Sequence, residues 1–521
     1  MSTVAERESK KRKRGEEAGE TASTISKVNG TSAKNAEHVA NVRRWHRVRI
    51  SEQEDHSRLY SLIVDYVQNP QLATSVKELV FRGHHVEYEY PPRRQMAGEG
   101  RLGARDALDN KALIEVVKVL VGEDAVGEWV RALSWARPER VEARKLNETR
   151  AWADGNWQTM RSSRRQHALF GHYAAALLIA LCPNIEALTL EDSATTDVLG
   201  MVLRKNNHSL LKERYLQKLK HVKLLPTTEI ILCDPREYTT TDFLGLVGLF
   251  NRLPSLESIS IDGIQEDGKG SDRWLIAPHT SNVKSIHIGH SDLSSAMLAS
   301  VIRLSTALED FTFSTGGRAI YGNHVIYPKT LGKALLCQKH SLRRLDLDLD
   351  AKVYARPGEW VDEDGMDPND PLDLEAVDYM RDEWFLLNEA NSSGPLFTKD
   401  LADTREYGGT MGSFHDFTAL TDLSIGVRLL LGAGEESAPF RLTDSLPPSL
   451  ESLVLRGYRR GEMRQHDKQI DDFLRMKSKR FPFLREIKGI DSPIPNGEDV
   501  RDPDNNEGEL WVRPDEDDDW Q

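Results

Sequence analysis

Three aspartates alternate with three leucines in the stretch LDLDLD, Leu345–Asp350. In a strand, this alternation places the three carboxylates on one face, about 7 Å apart. Calcium needs six to eight oxygens that converge within about 2.6 Å, which a straight strand does not supply. We therefore predict no metal site here. The aspartates form either a solvated face or a contact patch for a basic partner.

Other residues with metal-ligating or nucleophilic chemistry are scattered. The three cysteines (Cys182, Cys233 and Cys337) are widely spaced in apolar or strand-like surroundings, which is typical of buried thiols. The histidines lack the companions of a zinc site, the glycine pairs in STGGRAIYGNH and EYGGTMGSF lack the lysine of a phosphate-binding loop, and there is no GxSxG element. We predict no enzyme activity, no catalytic or metal residue and no cofactor.

Tryptophan and arginine are concentrated between residues 105 and 165. This composition fits either binding hot spots and base-stacking surfaces or tryptophans that pack an insertion onto the rest of the fold. Interspersed acids such as Glu128 and Glu142 break up any basic stripe, so nucleic-acid binding is disfavoured. The tryptophans are Trp129, Trp135, Trp152 and Trp157.

The length of 521 residues exceeds a usual single core, so the chain is either several domains or a repeat array. The longest apolar run, YAAALLIALC, is half the length of a membrane-spanning helix, and the amino terminus is polar and basic. We predict a nuclear or cytoplasmic protein. The run Lys10, Lys11, Arg12, Lys13 and Arg14 is either a nuclear import signal or a solvated charge run.

The net charge of −13 is unevenly distributed. Residues 359–406 carry 15 acids and 3 bases, a balance of −12, and residues 498–521 carry 11 acids and 2 bases, a balance of −9. The remaining chain is therefore mildly basic, at about +8. Acidic blocks of this kind, and the polar first 45 residues, are typical of solvated, disordered segments.

One apolar pattern, φ-x-x-φ-x-φ, recurs along the chain and predicts its architecture. Leu256, Ile259 and Ile261 in LPSLESISIDGI show it. The last two apolar residues of the pattern are two positions apart, so they face the same side of a strand. The first apolar residue lies in the turn before the strand and packs into the same core. The nine complete copies begin at Val76, Ile185, Leu219, Leu256, Val283, Leu308, Leu342, Leu420 and Leu450, and a partial copy has Leu484 and Ile487.

The spacing of these frames indicates one strand and one helix per unit. From Leu188 to Leu345 they advance by 34, 37, 27, 25 and 34 residues, and amphipathic segments such as TTDFLGLVGLFNRL fill the gaps. A single unit cannot cover its own apolar face, so stacked neighbours must bury it.

The frames NIEALTLED, SLESISIDG, SLRRLDLDLD and SLESLVLRG resemble leucine-rich repeats of the irregular, helix-containing kind. The asparagine or cysteine usual after such strands is replaced, for example by Ser291 and Tyr458, so no regular asparagine ladder is expected. The stretch DHSRLYSLIVDYVQNPQLATSVKELVFRG is similar to the segment that joins the F-box to the repeats in fungal F-box/leucine-rich-repeat proteins. That resemblance implies a substrate receptor that binds the adaptor subunit of a cullin-type ubiquitin ligase, although no F-box pattern precedes residue 45.

We therefore predict an α/β fold, an irregular leucine-rich-repeat solenoid with parallel strands and helices on the outer face. The predicted parts are a disordered basic tail (1–45), a helical segment leading into the repeats (46–75), the solenoid (76–495) and an acidic tail (496–521). The solenoid carries a helical insertion at about 105–165 and an acidic loop at about 355–412. The predicted function is protein recognition, either as a ubiquitin-ligase substrate receptor or as a scaffold or adaptor without that link.

Strand alternation also predicts which residues contact the unknown protein partner. Outward positions on successive strands would form the concave binding surface of a solenoid. The predicted contact residues are Thr189, Lys223, Ser260, His287, Thr312, Asp346, Asp348, Ser424 and Val454.

Overall fold

The computed structural model describes eleven stretches of the chain. These are residues 46–50, 56–82, 111–191, 198–225, 238–266, 276–316, 326–349, 353, 407, 409–433 and 440–497. The basic run Lys10–Arg14, most of the acidic loop and the acidic residues after 497 lie outside them, as do Cys233 and Asp350. The predictions of disorder and of an import signal therefore stay predictions.

Eleven parallel strands form one sheet, and their order across the sheet follows their order in the chain. Two further short strands, β5 and β7, pair with each other in a separate parallel ribbon. The strands are β1 (Arg47–Ile50), β2 (Glu78–Phe81), β3 (Ala187–Glu191), β4 (His221–Leu225), β5 (Thr239–Thr241), β6 (Ser258–Asp262), β7 (Ile264–Glu266), β8 (Ser285–Gly289), β9 (Asp310–Ser314), β10 (Arg344–Asp348), β11 (Asp422–Gly426), β12 (Ser452–Arg456) and β13 (Glu486–Lys488).

Helices connect most successive strands, as parallel pairing requires crossover connections. Several begin with a capping side chain: Ser294 accepts a hydrogen bond from the Met297 amide at 3.2 Å, and Asn156 accepts one from Thr159 at 3.1 Å. The helices are α1 (His56–Gln68), α2 (Pro70–Ala73), α3 (Lys111–Val121), α4 (Val126–Ser134), α5 (Pro138–Ala153), α6 (Trp157–Leu181), α7 (Val198–Asn207), α8 (Phe243–Val247), α9 (Ser295–Leu304), α10 (Pro328–Leu336), α11 (Val427–Leu431), α12 (Leu442–Ser445) and α13 (Arg464–Arg480).

The apolar frames predict the core correctly. All nine complete frames coincide with strands of the large sheet, and the partial frame forms β13. Leu256, Ile259 and Ile261 are each at least 96% buried, and the frame residues of the other complete copies are buried likewise. They belong to one apolar cluster that also includes helix residues such as Leu298 and Leu335. The predicted α/β class, with parallel strands packed against helices, is confirmed.

Two boundaries differ from the sequence-based prediction. The segment predicted as helical from residue 46 begins with a strand: β1 pairs in parallel with β2, in the register Val48 to Leu79. Trp45, Val48 and Ile50 have the spacing of the frame, but this copy was not counted among the nine. The helical insertion also extends past the predicted end at 165, because α6 continues through the apolar run Tyr173–Leu181, whose first residues are buried in the core.

Buried polar side chains link the turns that precede the strands. Gln338 is 99% buried; its side-chain amide donates to the Ile302 and Ser305 carbonyls at 3.1 and 2.9 Å, and its oxygen accepts from the Leu308 amide at 3.0 Å. Earlier in the chain, the Asn207 side-chain amide donates to the Asn251 side-chain oxygen at 2.8 Å. Polar groups that leave water must find such partners. In these turns, a mixed set of amides and hydroxyls takes the place of a regular asparagine ladder.

Gln338→Ala should destabilise the protein by about 2–4 kcal/mol, because it removes the hydrogen-bond partner of one buried N–H and of two carbonyl groups. Urea unfolding of the purified chain measures this change. The control is Gln71→Ala, at an exposed position, for which we expect a change within about 0.5 kcal/mol. Equal effects of the two substitutions would contradict the structural role of Gln338.

His466 predicts a pH dependence of stability. Its Nε2 lies 2.9 Å from the Gly432 carbonyl oxygen, and burial, aided by Arg428, lowers its pKa below the usual 6.5. Below about pH 6.5, His466 therefore binds a proton more readily in the unfolded chain than in the folded chain. The stabilising contribution is present above about pH 6.5 and is lost as the pH falls below it.

His466→Gln, which keeps an N–H donor but cannot titrate, should reduce the fall in Tm between pH 7.5 and 5.5. Exposed His340→Gln serves as the control and should leave that fall unchanged. Thermal unfolding followed by circular dichroism at both pH values makes the measurement. An unchanged pH dependence in the His466 variant would show that the proton uptake occurs elsewhere.

Candidate functional site

One row of side chains crosses the entire sheet on the face opposite the apolar core. Strand register places its members side by side from β1 to β13, and we call it the central row. Eight of the nine predicted contact residues belong to it; Asp348 lies two residues further along β10, beside Ser314. The central row is Arg49, Val80, Thr189, Lys223, Ser260, His287, Thr312, Asp346, Ser424, Val454 and Lys488.

Exposure follows the predicted alternation at seven of the nine positions. Lys223 is exposed, and Ser260, His287, Thr312, Asp346, Ser424 and Val454 are partly exposed. The expectation of exposure is wrong for Thr189 and Asp348, which are buried at 7% and 8% exposure. Thr189 has a short side chain that lies between Val80 and Lys223 in the register. Asp348 is covered because a guanidinium and a returning backbone segment bind its carboxylate.

The middle of this open face carries hydroxyl and imidazole groups. Nδ1 of His221 lies 2.8 Å from the Ser258 hydroxyl on the next strand of the sheet. The Ser285 hydroxyl lies 2.6 Å from Nε2 of His287, the residue two further along the same strand. Such groups can both donate and accept hydrogen bonds, so this part of the face is suited to polar contacts.

Ser285, His287 and Asp310 resemble a nucleophile, base and carboxylate set in composition but not in geometry. In a catalytic triad the serine contacts one imidazole nitrogen and the carboxylate orients the other. Here Ser285 Oγ and Asp310 Oδ2 both approach Nε2 of His287, at 2.6 and 3.6 Å. Asp310 also binds Arg344, and that hydrogen bond raises the pKa of the Arg344 guanidinium. The arrangement is therefore a polar surface network.

Arg456, on β12, links its own strand to β11 and β10. Its guanidinium lies 3.1 Å from Asp346 and 3.5 Å from Asp348 on β10, and its Nε donates to the Ser424 hydroxyl on β11 at 3.1 Å. The arginine thus balances two of the three aspartates of LDLDLD. Periodicity along the chain does not reveal this residue, because its partners Ser424, Asp348 and Asp346 lie 32, 108 and 110 positions away.

A row of alternating charge borders the open face at the amino-terminal ends of the strands. The residue just before each strand alternates in sign almost without interruption, and neighbours approach as ion pairs: Lys284 and Arg343 lie 3.5 and 3.7 Å from Glu309. The backbone carbonyl of each accepts from the next turn, as in Glu309 N–H to Lys284. We call this set the charge ladder. Its members are Lys77, Glu186, Lys220, Glu257, Lys284, Glu309, Arg343, Glu451 and Arg485, with the uncharged Thr421 between Arg343 and Glu451.

The sequence carries the signal for the charge ladder, although the sequence analysis did not use it. Each member directly follows the first apolar residue of its frame, as Glu257 follows Leu256. Exposed pairs contribute little individually. The alternation of sign along the ladder nevertheless disfavours incorrect strand pairing, because a strand that skipped one repeat unit would place two like charges side by side.

The tryptophans of the insertion divide between packing and exposure. Trp129 is 99% buried, and its ring meets Tyr173 edge-on with centroids 4.8 Å apart. Trp135 packs against the buried His167 in a similar edge-on contact. For these two, the packing alternative is confirmed. Trp152 is 65% exposed, and the side chain of Trp157 lies outside the described residues.

The described residues form neither a metal-binding cluster nor a membrane-spanning helix. In the described ranges, no group of three or more histidine, cysteine, aspartate or glutamate side chains is placed to hold a metal ion. None of the described helices combines the length and apolar character that crossing a membrane requires. No protein-family model, curated protein or solved structure matches the chain.

Glu309→Lys should disrupt the charge ladder by placing three cations in sequence. We expect the free energy of unfolding to fall by about 1 kcal/mol at low salt and much less near 1 M salt, where the Debye length shrinks to about 3 Å. Urea unfolding at the two salt concentrations tests this. Glu213→Lys, an exposed reversal outside the ladder, is the control and should show little change. A salt-independent loss at Glu309 would contradict an electrostatic role.

Proposed function

We propose that the chain is an irregular leucine-rich-repeat solenoid without enzymatic activity, and that its open face recognises a protein partner. The observation that carries this proposal is the central row, which brings eight separately predicted positions into one line across eight strands. Strands that pair in chain order, each adding the same two inward apolar residues, are what stacked repeats produce.

The dimensions and chemistry of the face favour a macromolecular partner. Eleven strands about 4.8 Å apart give a row roughly 48 Å long. The row is polar at most positions, with a cation at each end, Arg49 and Lys488, a third cation at Lys223, and one carboxylate, Asp346, between them. A partner with a complementary distribution of charge would gain orientation as well as affinity.

The resemblance of residues 55–83 to fungal F-box/leucine-rich-repeat proteins supports the more specific proposal of a substrate receptor in ubiquitin ligation. That role needs a contact with the adaptor subunit of a cullin-type ligase in addition to the open face. A scaffold or adaptor with no ligase link is the alternative. A nuclear or cytoplasmic address remains part of both proposals.

Affinity purification of the full chain with mass spectrometry tests the proposal. The triple variant Lys223→Glu/Ser260→Arg/Thr312→Arg changes charge and size on the central row, so it should lose at least tenfold of the captured partner, an effect of about 1.4 kcal/mol. The matched control, Arg204→Glu/Thr149→Arg/Ser478→Arg, makes the same changes of charge at exposed helix positions and should retain the partner.

Equal capture by both variants would place the partner elsewhere and overturn recognition by the open face. Recovery of a ligase adaptor with the wild-type chain would support the substrate-receptor role, and partners without any adaptor would favour the scaffold. Urea unfolding of both variants checks that the folded state is retained.

A further inference from the structure

After the last strand, the chain turns back and crosses the carboxyl-terminal ends of earlier strands. We call residues 489–497 the strap. Ile494 forms a parallel bridge with Arg456, and its carbonyl accepts from the Gly457 amide at 2.8 Å, beyond β12. The Gly497 amide then donates to Oδ1 of Asp348, beyond β10, at 2.8 Å. The strap therefore reverses the direction in which the sheet grows.

Two glycines permit the close approach of the strap to the strand ends. A Cβ atom on Gly497 would lie 2.2 Å from the backbone oxygen of Thr315, whose amide is itself tied to the Asp348 carbonyl. A Cβ on Gly457, which has a φ of +66°, would lie 2.6 Å from the Asn496 side chain. The seat formed by Thr315, Asp348 and Gly457 thus accepts an extended backbone with glycine at one defined position.

Gly489 is buried and Ile490 packs against the apolar core, whereas residues 491–497 of the strap are held by hydrogen bonds and bury little apolar surface. Asp491, Ser492, Pro493 and Pro495 are exposed, and Ile494 is only partly buried. Segments with few buried apolar contacts open at a lower free energy than the core that supports them. The strap is therefore a segment that can leave its seat while the sheet stays folded.

Release of the strap would alter the open face directly. The carboxylate of Asp348 that receives the Gly497 amide also contacts Arg456, and Arg456 holds Asp346 and Ser424 of the central row. When the strap leaves, the buried Asp348 carboxylate loses the Gly497 amide as a donor. Arg456 would then have to move closer to Asp348 to replace that hydrogen bond. The seat and the central row are coupled through this one guanidinium.

We propose that the seat is a binding site for an extended peptide segment with glycine at the position of Gly497, and that the strap occupies it in cis and competes with such a segment. The proposal rests on the proposed recognition function for its biological use, but the seat itself can be tested without any partner. A tethered segment has an effective concentration in the millimolar range for short linkers, so the wild-type seat stays filled.

The test compares the full-length wild type with two variants that weaken the strap, Gly497→Ala and Asp348→Asn. Gly127→Ala, in α4 with nothing within 4 Å of the added methyl, is the matched control. Hydrogen exchange of amides 489–497 reports release, and a labelled peptide of residues 489–499 reports trans binding by anisotropy. Loss of one hydrogen bond to a charged group corresponds to roughly 10–100-fold in an equilibrium constant.

We expect amides 489–497 to exchange about tenfold or more faster in both strap variants, with core strands unchanged, and not in Gly127→Ala. The peptide should bind the Gly497→Ala chain at least tenfold more tightly than the wild type, whereas a peptide with alanine at that position should not bind. Asp348→Asn should release the strap but bind the peptide weakly, because a neutral amide oxygen is a weaker acceptor than the carboxylate.

Unchanged exchange of the strap in both variants would overturn the proposal, as would a released strap with no peptide binding to Gly497→Ala. These results are independent of the capture experiment on the central row. A negative result in the capture experiment would contradict partner recognition by the open face, but it would leave the proposed peptide-binding seat standing.

Discussion

The structure depends on one constraint: each strand presents two apolar side chains that only the neighbouring strands and the helices behind them can bury. Ile259 and Ile261 are inaccessible because β4, β8 and the helical layer surround them. The same requirement repeats at every strand, so the core is continuous and grows with each added unit. Burial of this kind contributes about 25 cal/mol for each Å² removed from water, which makes it the dominant favourable interaction.

Polar groups are arranged so that this continuous core keeps a single register. A strand could pair with the strand of the wrong repeat unit at little cost in apolar burial, because the frames are alike. The charge ladder and the buried amides of the turns make such a slip unfavourable, because a shift would bring like charges together and separate Gln338 from its three backbone partners. Individually exposed ion pairs are weak, but their alternation discriminates between pairings.

The same repetition leaves the opposite face free to differ from strand to strand. Its side chains do not support the core, so hydroxyls, imidazoles and both signs of charge occupy equivalent positions along the central row. Arg456 is the exception, because it ties β10 to β11 and β12 and reaches the carboxylate that seats the strap. A face built in this way can carry specificity, and its carboxyl-terminal end can respond to the segment that covers it.

The sequence by itself determined the local pattern: which residues face inward, where the strands lie, and which positions form the central row. Each of these follows from the period of two within a strand and from the recurrence of the frame. Contacts that join distant units were decided only by the tertiary structure: the burial of Thr189 and Asp348, the reach of Arg456 and the return of the strap. The physical reason is that these depend on which side chains meet across 30 to 150 intervening residues, a distance over which periodicity carries no information.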